Sequence, residues 1–91
     1  MTTFQAVTSN TTPTPVLYIN AQAPLADLYE FADTGVRAVR DMVKSLASMS
    51  IRSGDDADLA RFATVAYLLL EPCCNAFEII DQRTHAGEAI R

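Results

Sequence analysis

Apolar and small residues recur at alternating steps of three and four through the first half of the chain: Leu25, Leu28, Ala32, Gly35, Val39, Met42, Leu46 and Met49. Such a stripe is the inner face of an amphipathic helix of about four heptads. After a short polar break a second stripe follows at Leu59, Phe62, Ala66, Leu69, Cys73, Ala76 and Ile80. Two long helices with matching stripes predict an all-α fold, a helical hairpin. A lone hairpin cannot close a core, so the pattern predicts one that dimerises into a four-helix-bundle-like assembly.

Local signals sharpen this reading. Pro24 suits the start of the first helix, where its missing N–H costs nothing. Asp27, Glu30 and Asp33 lie toward the helix start and Arg37, Arg40 and Lys44 toward its end, as the helix dipole favours. Asp33 and Arg37 are four apart and are expected to pair. Ser53, Gly54, Asp55 and Asp56 form the turn and cap before the second helix. That helix is expected from about residue 56 to about residue 82, kinked or broken at Pro72, which removes one backbone donor and clashes with the carbonyl of Leu68.

Gly35 thins the first stripe, and the expected reason is close approach of a neighbouring helix, since glycine inside a helix otherwise costs about 0.5–1 kcal/mol. In the stretch 65–70, Val-Ala-Tyr-Leu-Leu-Leu, apolar side chains cover nearly every direction. Tyr67 and Leu68 lie off the stripe that meets the first helix, so the second helix should be the more buried of the two and should meet a further surface. Gly35, Tyr67, Leu68, Leu70 and Phe77 are the expected interface residues.

The chain divides into an expected disordered tail (1–15), a helical hairpin domain (16–83) and a frayed C-terminus (84–91). The tail is rich in threonine and has no helical period. Val16, Leu17, Tyr18 and Ile19 follow Pro15 and read as a short extended segment. It is either a strap over the helices or a strand that pairs with its copy in another subunit.

Ninety-one residues allow one small domain, and an apolar content of 49% argues against general disorder. A core of this size rarely supplies more than about 3–5 kcal/mol by itself, which again favours a partner. The net charge of −4 argues against a general affinity for nucleic acid. With no basic-then-apolar leader and no apolar run longer than the stretch 65–70, the expectation is no membrane and a cytoplasmic protein. Adjacent Cys73 and Cys74 point about 100° apart on a helix and cannot pair with each other, which fits a reducing compartment.

Chemistry is sparse. Cys73, Cys74 and His85 match no zinc-ligand spacing, so no metal or other cofactor is expected. A single histidine near the end of the chain offers no nucleophile–base pair, and there is no Gly-rich phosphate loop. Small dimeric helical mutases line their bundle with Arg and Lys, whereas Arg37, Arg40 and Lys44 fall on the outer face here. The expectation is that the protein is not an enzyme.

The order Leu17-Tyr18-Ile19, then Leu25 to Ala32, then Ala66-Tyr67-Leu68-Leu69-Leu70-Glu71 resembles a family of short two-helix bacterial proteins of unknown function, of the pseudomonad type. The resemblance covers about residues 16–82; Pro72 departs from the family pattern. It carries over no catalytic residues. Some similar two-helix proteins are antiactivators, which sequester a transcription regulator by covering its dimerisation surface. The resemblance therefore implies a homodimeric protein–protein interaction module, a negative regulator whose partner is a transcription regulator. The competing readings are a structural or assembly protein, and a ligand binder or enzyme built in a dimeric bundle.

Overall fold

The computed structural model describes residues 3–48 and 56–89. Met49 of the first stripe and the turn residues Ser53, Gly54 and Asp55 lie outside the described residues. The order is strand β1 (Phe4–Ala6), strand β2 (Tyr18–Asn20), helix α1 (Leu25–Ser48) and helix α2 (Asp56–His85). The chain is thus mostly helical, a helical hairpin with a small two-stranded antiparallel sheet. Phe4 faces Asn20, Gln5 faces Ile19, and Ala6 faces Tyr18.

Helix α1 follows its stripe. Leu25, Leu28, Ala32 and Val39 are buried, and the flanking charges stay in solvent. The first helical bonds run from the amides of Asp27 and Leu28 to the Pro24 carbonyl, so Pro24 opens the helix as expected. Asp33 and Arg37 pair at 2.8 Å. Helix α2 is a single element through Pro72 and is not broken into two. Its buried residues, Cys73, Asn75, Ala76, Ile79 and Ile80, all lie beyond Pro72. Within the single chain Leu59, Phe62, Val65, Tyr67, Leu68 and Leu69 in the first half of α2 are exposed, so the burial expected of that half is not supplied by the chain's own first helix.

The core therefore sits at one end of the hairpin. Leu25 and Leu28 meet Ile79 and Ile80, and Ala32 meets Cys73 and Ala76. Ile19 of β2 packs on both groups, and Ala21 and Ala23 on the first.

The tail expected at residues 1–15 is not structureless over its described part. Residues 3–6 pair with β2, and Val7 and Ser9 are buried. Asn10 closes the loop between the strands. Its Oδ1 accepts from the amides of Val16 and Leu17, and its Nδ2 donates to the carbonyls of Val7 and Leu17. Thr8 fastens the loop to α2: its amide donates to Asn75 Oδ1 at 3.0 Å, and its hydroxyl donates to the Glu71 carboxylate and accepts from Asn75 Nδ2. Threonine and asparagine, which read as polar filler, here satisfy backbone groups that hydrophobic periodicity cannot see.

The frayed end expected at 84–91 is also corrected over its described part. Gly87 has φ +98°, Glu88 N–H donates to the Arg83 carbonyl, and Gly87 N–H donates to that of Thr84. This is a Schellman cap, with glycine at the one position that needs a left-handed backbone. Arg83 reaches back to the carbonyls of Ala21 and Ala23 at 3.1 and 2.5 Å and pairs with Glu88. The segment that links the sheet to α1 is thereby tied to the end of α2.

Candidate protein interaction site

The hairpin leaves two apolar regions open. The first is the distal arm, formed by the second half of α1 and the first half of α2. Phe62 and Leu69 belong to the stripe that meets α1, yet are 40% and 44% exposed. Leu59, Val65 and Val43 are about half exposed in the same arm. Neither cluster of buried residues reaches this arm. The strap of residues 3–23 packs on the end of the hairpin where α1 begins.

The second region is a cleft of about 900 Å³ between the N-terminal strands and the helix pair. Val7, Leu17, Tyr18 and Ile19 form one wall, Leu28, Phe31, Gly35 and Ala38 of α1 another, and Leu68, Leu69, Pro72 and Cys73 of α2 the third. The lining is overwhelmingly apolar. Asp27 and Glu30, one turn apart on α1, stand at its edge together with Thr34. The walls follow from helical phase: Phe31 and Ala38 flank the α1 seam on one side, while Tyr29, Val36 and Val43 flank it on the other.

The five expected interface residues do not share one surface. Gly35 lies at the crossing of α1 and α2 within the chain, where a Cβ would collide with Cys73 Sγ. The close approach is real, and the approaching element is the chain's own second helix. Leu68 opens into the cleft and is half exposed. Phe77 meets Tyr29 edge-on, ring centroids 6.4 Å apart, on the opposite flank of the hairpin. Tyr67 is half exposed and Leu70 partly buried. Sequence reasoning missed the cleft because three of its walls come from segments far apart in the chain. Val16 to Ile19, recognised as an extended segment, was the one signal that could have pointed to it.

Cys73 is 1% exposed and donates to the Leu69 carbonyl at 3.1 Å. Burial, with Cys74 beside it, pushes its thiol up from the ordinary value, which makes it a packing residue rather than a nucleophile. Among the described residues no three His, Cys, Asp or Glu side chains come together as a metal site would require. His85 Nδ1 lies 2.7 Å from the carbonyl of Asp81 in its own helix turn.

Among the described residues one helix, Asp58–His85, is long and apolar enough to cross a membrane by length and composition alone. Its last third is occupied by the core just described, and Glu71 and Glu78 interrupt its apolar surface. Comparison with protein-family models, with curated proteins and with solved structures finds no match.

Proposed function

We propose that the chain is a small homodimeric protein–protein interaction module, and that it acts as a negative regulator by sequestering a transcription regulator. The observation that carries the first half of this reading is the open distal arm. Leu59, Phe62 and Leu69 stand exposed along a stripe built to be buried, with Val65 exposed beside it. Each such side chain gains roughly 1.5–3 kcal/mol when taken out of water. A second hairpin laid against the first, arm on arm, would complete a four-helix bundle and give each stripe the cover that one neighbouring helix leaves wanting. The kink expected at Pro72 would belong to this assembly, bending the free half of α2 toward the second copy.

The second half rests on a surface left over once the arms are paired. The cleft shares Leu69 with the arm, but its walls from Val7, Leu17, Tyr18 and Ile19 and from Leu28 and Phe31 lie toward the sheet end and stay open when the arms pair, and antiactivation needs such a free apolar surface on an otherwise inert protein. The family resemblance points the same way. A structural or assembly role would need the dimer but not the cleft.

Sedimentation equilibrium tests the dimer. The wild type should sediment as a dimer at tens of micromolar, and Phe62→Glu should shift it to monomer, because the carboxylate would be desolvated at the interface. A wild type that stays monomeric overturns the reading.

A further inference from the structure

We propose that the cleft between the N-terminal strands and the helices is the seat of a basic amphipathic helix contributed by a partner protein. This rests on the reading of the chain as an interaction module, and it names the chemistry of the partner.

Three observations converge. The cleft is lined by Leu17, Ile19, Phe31, Leu68, Leu69 and Pro72, with Tyr18 at its edge, so the surface offered is apolar and aromatic. Aromatic residues beside an apolar groove are the side chains that dominate helix-in-groove recognition. The α1 wall runs from Asp27 to Ala38. At about 1.5 Å per residue that is roughly 16 Å, or three helical turns, enough for anchors at i, i+3 or i+4, and i+7. The cleft is also partly open to solvent, which leaves an elongated partner room to enter.

Charge selects among helices. Asp27 and Glu30 stand exposed at the edge, and neither belongs to an ion pair among the described residues. Every described arginine, in contrast, is committed within the chain. Arg37 pairs with Asp33, Arg40 with Asp41, Arg61 with Asp58 and Arg83 with Glu88. Among the described lysines and arginines only Lys44 is outside such a pair. The described residues of a second copy thus offer little unpaired positive charge to set against the carboxylates, and the net charge of −4 opposes a further copy. A partner helix with Lys or Arg flanking its apolar stripe satisfies both the groove and its edge.

The test uses two synthetic eighteen-residue helices with the same leucine stripe, one with lysine flanks and one with glutamate flanks. Binding to the full chain is followed by fluorescence anisotropy. The lysine helix should bind at least tenfold more tightly than the glutamate helix. Asp27→Asn with Glu30→Gln should remove most of that difference, with binding measured well below the melting temperature because the loss of two carboxylates near the helix start lowers it slightly. Phe31→Glu should weaken the lysine helix by tenfold or more, and Phe62→Glu should leave its binding unchanged. Equal binding of the two helices, or no effect of the Asp27/Glu30 variant, overturns the proposal. So does conversion of the dimer to monomer by Phe31→Glu, which would show that a second copy fills the cleft. Because Phe62 lies on the distal arm, a dimer that fails to form there counts against the oligomeric reading and leaves the cleft result to stand by itself.

Discussion

Gly35 decides how closely the two helices meet. A Cβ at this position would collide with Cys73 Sγ, although the Leu69 carbonyl would lie at an ordinary 3.8 Å. The sulfur has little freedom to retreat, because Cys73 is buried and bonded to its own helix turn. Gly35→Ala should therefore lose stability by overpacking, about 1–3 kcal/mol, offset by a gain in helix propensity of about 0.5–1 kcal/mol. With Cys73→Ala the collision disappears and the propensity gain remains. Urea unfolding should show Gly35→Ala as destabilising in the native background and stabilising in the Cys73→Ala background. The same sign in both would refute steric control by the sulfur.

Arg83 and Glu88 give the residue scale its pH dependence. The Arg83 hydrogen bond holds the Glu88 carboxyl below the usual carboxylate range. A carboxyl whose folded pKa is depressed stabilises the fold fully above its unfolded pKa, and that contribution is lost as pH falls through the folded value. The effect is small because Glu88 is exposed and solvent screens the pair. An NMR titration should find Glu88 ionised to lower pH than a free glutamate, and Arg83→Gln should return it to the ordinary range. An unchanged midpoint in the variant would show that the pair does not form in solution.

At the scale of elements, the strap matters more than its size suggests. Residues 3–23 supply β1, the buried Val7, the Thr8 contacts to Glu71 and Asn75, and Ile19 over both core clusters. Removing residues 1–14 uncovers one wall of the cleft and leaves Asn75, buried on α2, without its partner. Loss of the Thr8–Asn75 hydrogen bonds costs about 0.5–1.5 kcal/mol, and loss of Val7 burial roughly 1.5–3 kcal/mol more. The truncated protein should melt several degrees lower in circular dichroism. An unchanged melt would restore the reading of this segment as a bystander.

The whole molecule is long and thin. Its extents are 51 × 33 × 16 Å and its radius of gyration 16.1 Å, against about 12 Å for a compact chain of this length. A slab this thin cannot enclose two faces of a helix, which is why the distal arm stays open. If the arm is covered by a second copy, stability is linked to association, and the melting temperature should rise with protein concentration. A melting temperature independent of concentration over a hundredfold range would argue for a folded monomer.

Hydrophobic period alone located both helices and the α1 core positions, because a helix repeats its inward direction every 3.6 residues whatever it packs against. The sequence also marked Gly35 as a close approach, through the gap it leaves in the stripe, and the Asp33–Arg37 pair, set within one helical turn. Tertiary structure decided the rest. Asn10, Thr8, Asn75 and Arg83 act on groups up to sixty-seven residues away, through hydrogen bonds that leave no repeating trace in the sequence. Which half of α2 is buried was likewise not a property of its apolar content, which is richest at residues 65–70. It was settled by where the strap reaches, since a side chain is buried only if another part of the chain arrives to cover it.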